Sequence, residues 1–229
     1  MQHGKKYRAV VEKLDAKKIY AVEEAFAFLK ANTTAKFDES VEVHIRLKIN
    51  PKKNDEQVRA TLALPHGVGK VKRVVVVTST KAPEAEKAGA ELVGAENIIE
   101  DIKSGKLLAG THFDIIVATP EMMPKLATVA KILGPKGLMP NPKNETVTTK
   151  IKETVEALKK GSKVSFKNDD SGNVHQVIGK LTFTAKQLEE NCKEVIDTLR
   201  RSKPDAVKGK FITSIVVCST MSPALKIEM

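Results

Sequence analysis

Residues 64–79 read LPHGVGKVKRVVVVTS, and the character of the chain changes inside them. Upstream, SVEVHIRLKI (40–49) sets Val41, Val43, Ile45, Leu47 and Ile49 on one side and Glu42, His44, Arg46 and Lys48 on the other. That period of two marks a strand with one buried and one wet face. After the loop NPKKNDE, QVRATLAL (57–64) repeats the alternation through Val58, Ala60, Leu62 and Leu64, and the two segments are expected to pair antiparallel. Downstream, RVVVVTS (73–79) is apolar on both faces and needs cover on both, as strands of parallel sheets do.

From there short apolar strands alternate with helical stretches: APEAEKAGA (82–90), ELV (91–93), ENIIEDIKSG (96–105), FDIIVATP (113–120) and PKLATVAKIL (124–133). This βαβ rhythm predicts a Rossmann-like α/β domain over residues 68–159. After KIKETVEALKKG the first pattern returns. KVSFK (163–167) and NVHQVIGKLTF (173–183) flank NDDSGN, whose Asp, Ser, Gly and Asn suit a hairpin turn. Thr184 and Gln187 form a candidate capping box for a helix with the stripe Leu188, Cys192, Val195, Ile196 and Leu199, stopped by Lys203 and Pro204. KGKFITSIVVCST (208–220) is the last expected strand.

Neither outer segment has enough strands to close a core alone. The predicted fold class is therefore α+β with α/β in two domains. A discontinuous antiparallel-sheet domain (1–67 and 160–229) carries the α/β domain (68–159) as an insertion. Gly67, Gly69 and Gly161 lie at the two crossings as hinge candidates.

The chain of 229 residues holds 39 Lys and Arg against 28 acids, a net charge of +11, which favours a polyanionic partner. The inserted part has 14 basic and 11 acidic residues, so +8 of the +11 lies in the outer domain, the better candidate for that partner. Cys192 and Cys218 are too few for a disulfide framework and are expected to be small buried residues in a reducing compartment. The start of the chain lacks an apolar signal region and the longest aliphatic run is VVVV, so a cytoplasmic protein without membrane association is expected.

Catalytic signatures are missing. No G-x-G-x-x-G opens a helix after VVVVTS, and HGVGKVK is not a phosphate-binding loop. His3, His44, His66, His112 and His175 are scattered, with no i, i+4 pairing and no cysteine neighbour, so neither a metal nor another cofactor is expected. LGPKGLMPNPK (133–143) has two readings: a connection covering the end of a sheet, or a preformed recognition loop presenting Lys136, Gly137, Met139 and Lys143. Seven Phe, two Tyr and no Trp make a poor stacking platform for single strands, and a structured RNA read through backbone and shape fits better. Phe37, in TAKFDES, reads equally as a buried staple or as an exposed contact.

Four segments in order, HGKKYR (3–8), AKFDESVEVHIRLKINPKKNDEQVRATLALPHGVGK (35–70), ILGPKGLMPNPK (132–143) and TSIVVCSTMSP (213–223), resemble the bacterial large-subunit ribosomal protein L-one family over essentially the whole chain. The resemblance implies no enzymatic activity and an outer domain that binds the stalk segment of large-subunit ribosomal RNA. It further implies movement with exit-site tRNA, repression of the protein's own operon mRNA, and a monomer off the ribosome. Carried over by position, the RNA contacts are Lys36, Phe37, Ser40, Glu42, Ser214, Thr220 and Met221, joined by Lys167, Asp170 and His175. Ser214 and Thr220 are an even number apart, so both hydroxyls are expected on one face with Val216 and Cys218 between them. Ser222 stands where relatives usually carry Gly; an ordinary backbone is expected there, with its hydroxyl adding a contact. Ala21 stands where a Thr helix cap is common. A non-ribosomal RNA regulator on the same scaffold is the alternative, and an α/β enzyme a more distant one.

Overall fold

A computed structural model describes residues 4–15, 18–79, 81–108, 110–142, 145–159 and 161–228. His3 and Lys143, named above, and residue 160, a bound of the expected outer domain, lie outside them. In chain order the elements are α1 (Lys5–Val11), α2 (Val22–Ala31), β1 (Ser40–Leu47), β2 (Arg59–Ala63), β3 (Val74–Val77), α3 (Ala82–Lys87), β4 (Leu92–Gly94), α4 (Glu96–Lys103) and β5 (Ile115–Ala118). They continue as α5 (Met123–Leu126), α6 (Ala130–Leu133), α7 (Ile151–Lys159), β6 (Lys163–Lys167), β7 (Asn173–Lys180), α8 (Ala185–Arg201), β8 (Ile212–Ser219) and β9 (Leu225–Ile227). The chain divides into two compact units, Met1–Gly69 with Val164–Met229, and Lys70–Lys163. The crossings thus fall at 69/70 and 163/164.

The outer unit is built on a four-stranded sheet of order β7-β1-β8-β9, with every neighbouring pair antiparallel. Alternation does the work here: Val41, Val43 and Ile45 of β1, Val174 and Ile178 of β7, and Ile215 and Val217 of β8 are all fully buried. They pack with Phe26 and Leu29 of α2 and with Leu188, Cys192, Val195 and Leu199 of α8 in one core. The capping box at Thr184 and Gln187 forms, each side chain bonding the other's backbone N–H. Ala21 caps α2 without a side-chain bond, and Glu23 and Glu24 in the first turn supply the negative charge that the helix start favours.

Two expected pairings do not occur. β1 and β2 are not partners, because β1 lies between β7 and β8 while β2 pairs with β6 in a separate two-stranded sheet. KVSFK and NVHQVIGK are likewise not a hairpin, although the chain does reverse between them, with the Asp169 N–H donating to the Asn173 carbonyl. Buried Asn168 directs β6 away: its N–H donates to Val58 O (3.1 Å) and its side-chain oxygen accepts from Val58 N–H (2.8 Å). Alternation reports which face a strand buries; it is silent on which strand lies alongside.

In the inner unit the strands run β4-β3-β5, both pairs parallel. Val74–Val77 are buried on both faces. Val75 and Val77 meet Ile98, Ile99 and Ile102 of α4 and the helical segment from Met122 to Leu133, whereas Val74 and Val76 meet Ala85 of α3 and Val155 and Leu158 of α7. The proline-rich segment begins at the end of α6, and Leu138 and Met139 pack against the α4 side of this core. Met139 is thereby partly buried, while Lys136 and Gly137 remain at the surface.

Gly67, Gly69 and Gly161 have φ of 65°, 71° and 65°, the left-handed region that glycine enters without strain. At Gly69 a Cβ would also meet Lys180 Cγ at 3.0 Å and the Phe183 ring at 3.1 Å. Backbone geometry and close packing are enough to explain a glycine at that crossing.

Candidate nucleic-acid interface

The helices cover one face of the β7-β1-β8-β9 sheet. The register puts Glu42, His44 and Arg46 of β1 on the other face, opposite Val177, His175 and Asn173 of β7 and Cys218, Val216 and Ser214 of β8. Ser214, Val216 and Cys218 are each half-buried while Ile215, Val217 and Ser219 are buried, the parity expected of them. Cys218 is therefore no core residue, which corrects the expectation for it, whereas Cys192 is fully buried and its thiol is pushed up to about 12, chiefly by burial.

At one end of this face two segments from opposite ends of the chain are joined. Ser40 N–H donates to Thr220 Oγ1 (3.1 Å), and Thr220 N–H donates to the Ser40 carbonyl (3.1 Å), across 180 residues of sequence. Lys180 on β7 donates to the Asp38 carbonyl (3.1 Å) and to Ser40 Oγ (3.0 Å). Phe37 is 57% exposed and Met221 55%, so the buried-staple reading of Phe37 does not hold. Two large apolar side chains thus stand in solvent beside Lys36, which is also exposed. Water-facing apolar groups rimmed by cations and hydroxyls suit a partner that stacks or packs as well as carries charge.

Ser222 has an ordinary backbone; Glu145 is the only non-glycine residue of positive φ among the described residues. Its hydroxyl accepts from Ser219 N–H (2.8 Å), its own N–H donates to the Ser219 carbonyl (3.2 Å), and its Oγ–H reaches the Pro223 carbonyl (3.1 Å). The hydroxyl closes its own turn.

Beneath the joint lies Glu39, 1% exposed. Its carboxylate accepts from Ser219 Oγ (2.5 Å), Met221 N–H (3.0 Å) and Thr33 Oγ1 (2.9 Å), and also from the Ala35 N–H. Burial by itself would raise its pKa, but the donors from Ser219, Met221, Thr33 and Ala35 together hold it below the ordinary value. Nothing in the motif reading singles out Glu39, yet a signal exists: its odd position continues the inward register of Val41 and Val43.

Two histidines far apart in sequence meet in the fold: His44 Nδ1 and His175 Nδ1 are 2.7 Å apart, and His44 Nε2 lies 3.2 Å from Cys218 Sγ. Burial lowers the His44 pKa, the charge of His175 lowers it further, and Glu42 partly opposes both. Burial, with a smaller contribution from Glu42, raises the Cys218 thiol. His175 Nε2 also approaches Asp169 (3.4 Å). The Asn173 N–H chiefly, against burial and aided by the Asn173 amide, the Ser171 N–H and His175, brings the Asp169 pKa down to about 2. Among the described residues no group of three His, Cys, Asp or Glu is arranged to hold a metal ion, and no helix is long and apolar enough to cross a membrane.

Ser40, Glu42, His175, Ser214 and Thr220 are thus brought onto or beside one sheet face, with Lys36, Phe37, Met221 and Ser222 at its end. Lys167 ends β6 and Asp170 lies in the following turn, both exposed. Lys136, Gly137 and Met139 belong to the other unit.

A family profile described as ribosomal protein L1p/L10e matches residues 29–223, a span that takes in both halves of the joint. The chain belongs to this family. Among similar proteins, the large ribosomal subunit protein uL1 of Mycoplasma capricolum subsp. capricolum is 48% identical over 98% of this chain and 98% of its own. The proteins of the same name from Mesoplasma florum and Kosmotoga olearia are 45% and 44% identical, over 99% of this chain and 98% and 96% of their own. The ribosomal L1p/L10e family consists of ribosomal proteins and not of enzymes.

Proposed function

We propose that this chain is a constituent of the large ribosomal subunit, in the cytoplasm, and binds the stalk segment of large-subunit ribosomal RNA on the uncovered sheet face and the joint at its end. The observation that carries this reading is the Ser40–Thr220 bracket, which unites Lys36 and Phe37 with Met221 and Ser222 beside a nearly neutral strip of hydroxyl, imidazole and apolar groups. Lysines attract the phosphate backbone from a distance and lose strength with salt. Small hydroxyls and apolar side chains at fixed positions test shape at contact. Exit-site tRNA and the protein's own operon mRNA are the further partners in this proposal, the mRNA through a mimic of the ribosomal site.

Footprinting the purified protein on total ribosomal RNA at several salt concentrations tests the reading. Protection concentrated in one irregular stalk helix, with affinity falling as salt rises, is the expected result. Diffuse protection over many helices refutes it. For the mRNA, a reporter fused to the operon leader should be repressed by added protein; a reporter indifferent to it removes that partner.

A further inference from the structure

We propose that Glu39 is a positioning residue for RNA recognition: its buried carboxylate clamps the 33–40 loop to the 219–222 turn and so sets Phe37 and Met221 in the pose that RNA meets. The inference rests on the functional reading above and deepens it.

Four donors converge on this carboxylate from two segments: the Thr33 hydroxyl and Ala35 N–H on one side, and the Ser219 hydroxyl and Met221 N–H on the other. The Leu181 N–H donates to the Glu39 carbonyl (3.0 Å), fixing the main chain at the same residue to the segment after β7. None of the four donors is a cation. A buried carboxylate is costly to desolvate, and these four donors offset that cost; an apolar side chain of similar volume would leave them without their acceptor. Nor can an apolar side chain hold two chain segments in one geometry through directional bonds. The clamp also consumes inward-facing donors, the Met221 N–H among them, and leaves the Phe37 and Met221 side chains outward. Parity supplies the mechanism: Glu39 continues the inward register of β1, and Ser219 that of β8, so the two meet under the joint while Ser40 and Thr220 meet above it.

The test uses the full chain, a stalk fragment of large-subunit ribosomal RNA, and a random duplex of equal length at one salt concentration. Glu39→Ala is expected to lower stalk-fragment affinity about tenfold while leaving random-duplex affinity within about twofold. Amide exchange should accelerate at Ala35 and Met221 and stay unchanged in the middle of β1. Glu39→Gln gives a second variant should the alanine protein fold poorly. Its amide oxygen can still serve Met221 N–H while its NH2 group donates to the Thr33 hydroxyl, so its loss should fall between wild type and Glu39→Ala. General weakening of the fold would depress both RNAs together and would not be rescued by glutamine. If wild type prefers the stalk fragment and a folded Glu39→Ala or Glu39→Gln protein keeps that preference unchanged, this inference is wrong and the functional reading stands. If wild type shows no preference, the functional reading fails and takes the clamp with it.

Discussion

Thr220→Val tests whether the joint recognises RNA or merely closes a strand. Valine keeps the branched shape and removes the hydroxyl. In the folded protein that hydroxyl accepts from Ser40 N–H at 3.1 Å and points back to the Ser40 carbonyl at 3.4 Å. The carbonyl retains the Thr220 N–H after substitution, so Ser40 N–H alone loses its partner. Ser40 is only half-buried and water can replace the bond, so folding should lose no more than about 1 kcal/mol. The hydroxyl's own donation is longer than the ordinary O–H···O range, which leaves its proton available to a ribose or phosphate oxygen. Losing that contact in a closed interface should weaken stalk-fragment binding by about 1–2 kcal/mol, roughly five- to thirtyfold. Thr220→Ser should bind within about threefold of wild type because it keeps both lone pair and proton. Titration calorimetry at fixed salt against the stalk fragment and a random duplex provides the measurement. Valine and wild-type proteins of equal affinity would show that Thr220 only closes the strand.

The remaining expectations concern what holds the interface in place. Asn191, fully buried in α8, accepts from His66 N–H and donates to the carbonyls of Gly67 (2.9 Å) and Ile178 (2.7 Å), so Asn191→Leu strands buried backbone groups at a cost of about 3 kcal/mol. Both tyrosines, Tyr7 and Tyr20, lie in the outer unit and there is no tryptophan, so tyrosine fluorescence in urea reports that unit; its midpoint should fall by about 1.5–2 M, and an unchanged midpoint refutes the role. Gly69→Ala forces a Cβ into left-handed backbone against Lys180 and Phe183 and should cost the same unit about 2 kcal/mol, with Gly209→Ala, where a Cβ meets open space at φ 81°, as the control for backbone strain alone in that unit. The His44 pKa is lowered in the fold, so the unfolded chain binds more protons there. Its contribution to stability is full above the unfolded pKa near 6.5 and declines as pH falls from there through the lower folded value. The tyrosine-reported midpoint should therefore drop between pH 7.5 and 5.5, less so in His44→Gln, and an equal drop in both proteins would assign it to other groups.

Alternation made the buried faces of β1 and β8 legible, a doubly apolar run announced a strand covered on both sides, and Thr184 with Gln187 announced the start of α8. These features were readable because side-chain period and capping chemistry are local, set by the covalent geometry of a few adjacent residues. Strand partners were not readable: β1 passes over β2 for β7 and β8, and Asn168 takes β6 to β2, since any alternating strand can satisfy any other until loops and packing select one. The meeting of His44, His175 and Cys218 and the convergence of Thr33, Ala35, Ser219 and Met221 on Glu39 lie at the same level. Each depends on a register between segments more than a hundred residues apart, or on a loop folded over a buried charge. The sequence by itself determined the kinds of strand and helix, the charge and the family. Only the tertiary structure decided that Thr220 binds Ser40, that Ser222 closes its own turn, and that Phe37 and Met221 stand exposed over one buried carboxylate, because non-local hydrogen bonds form only once the core has chosen which strands lie side by side.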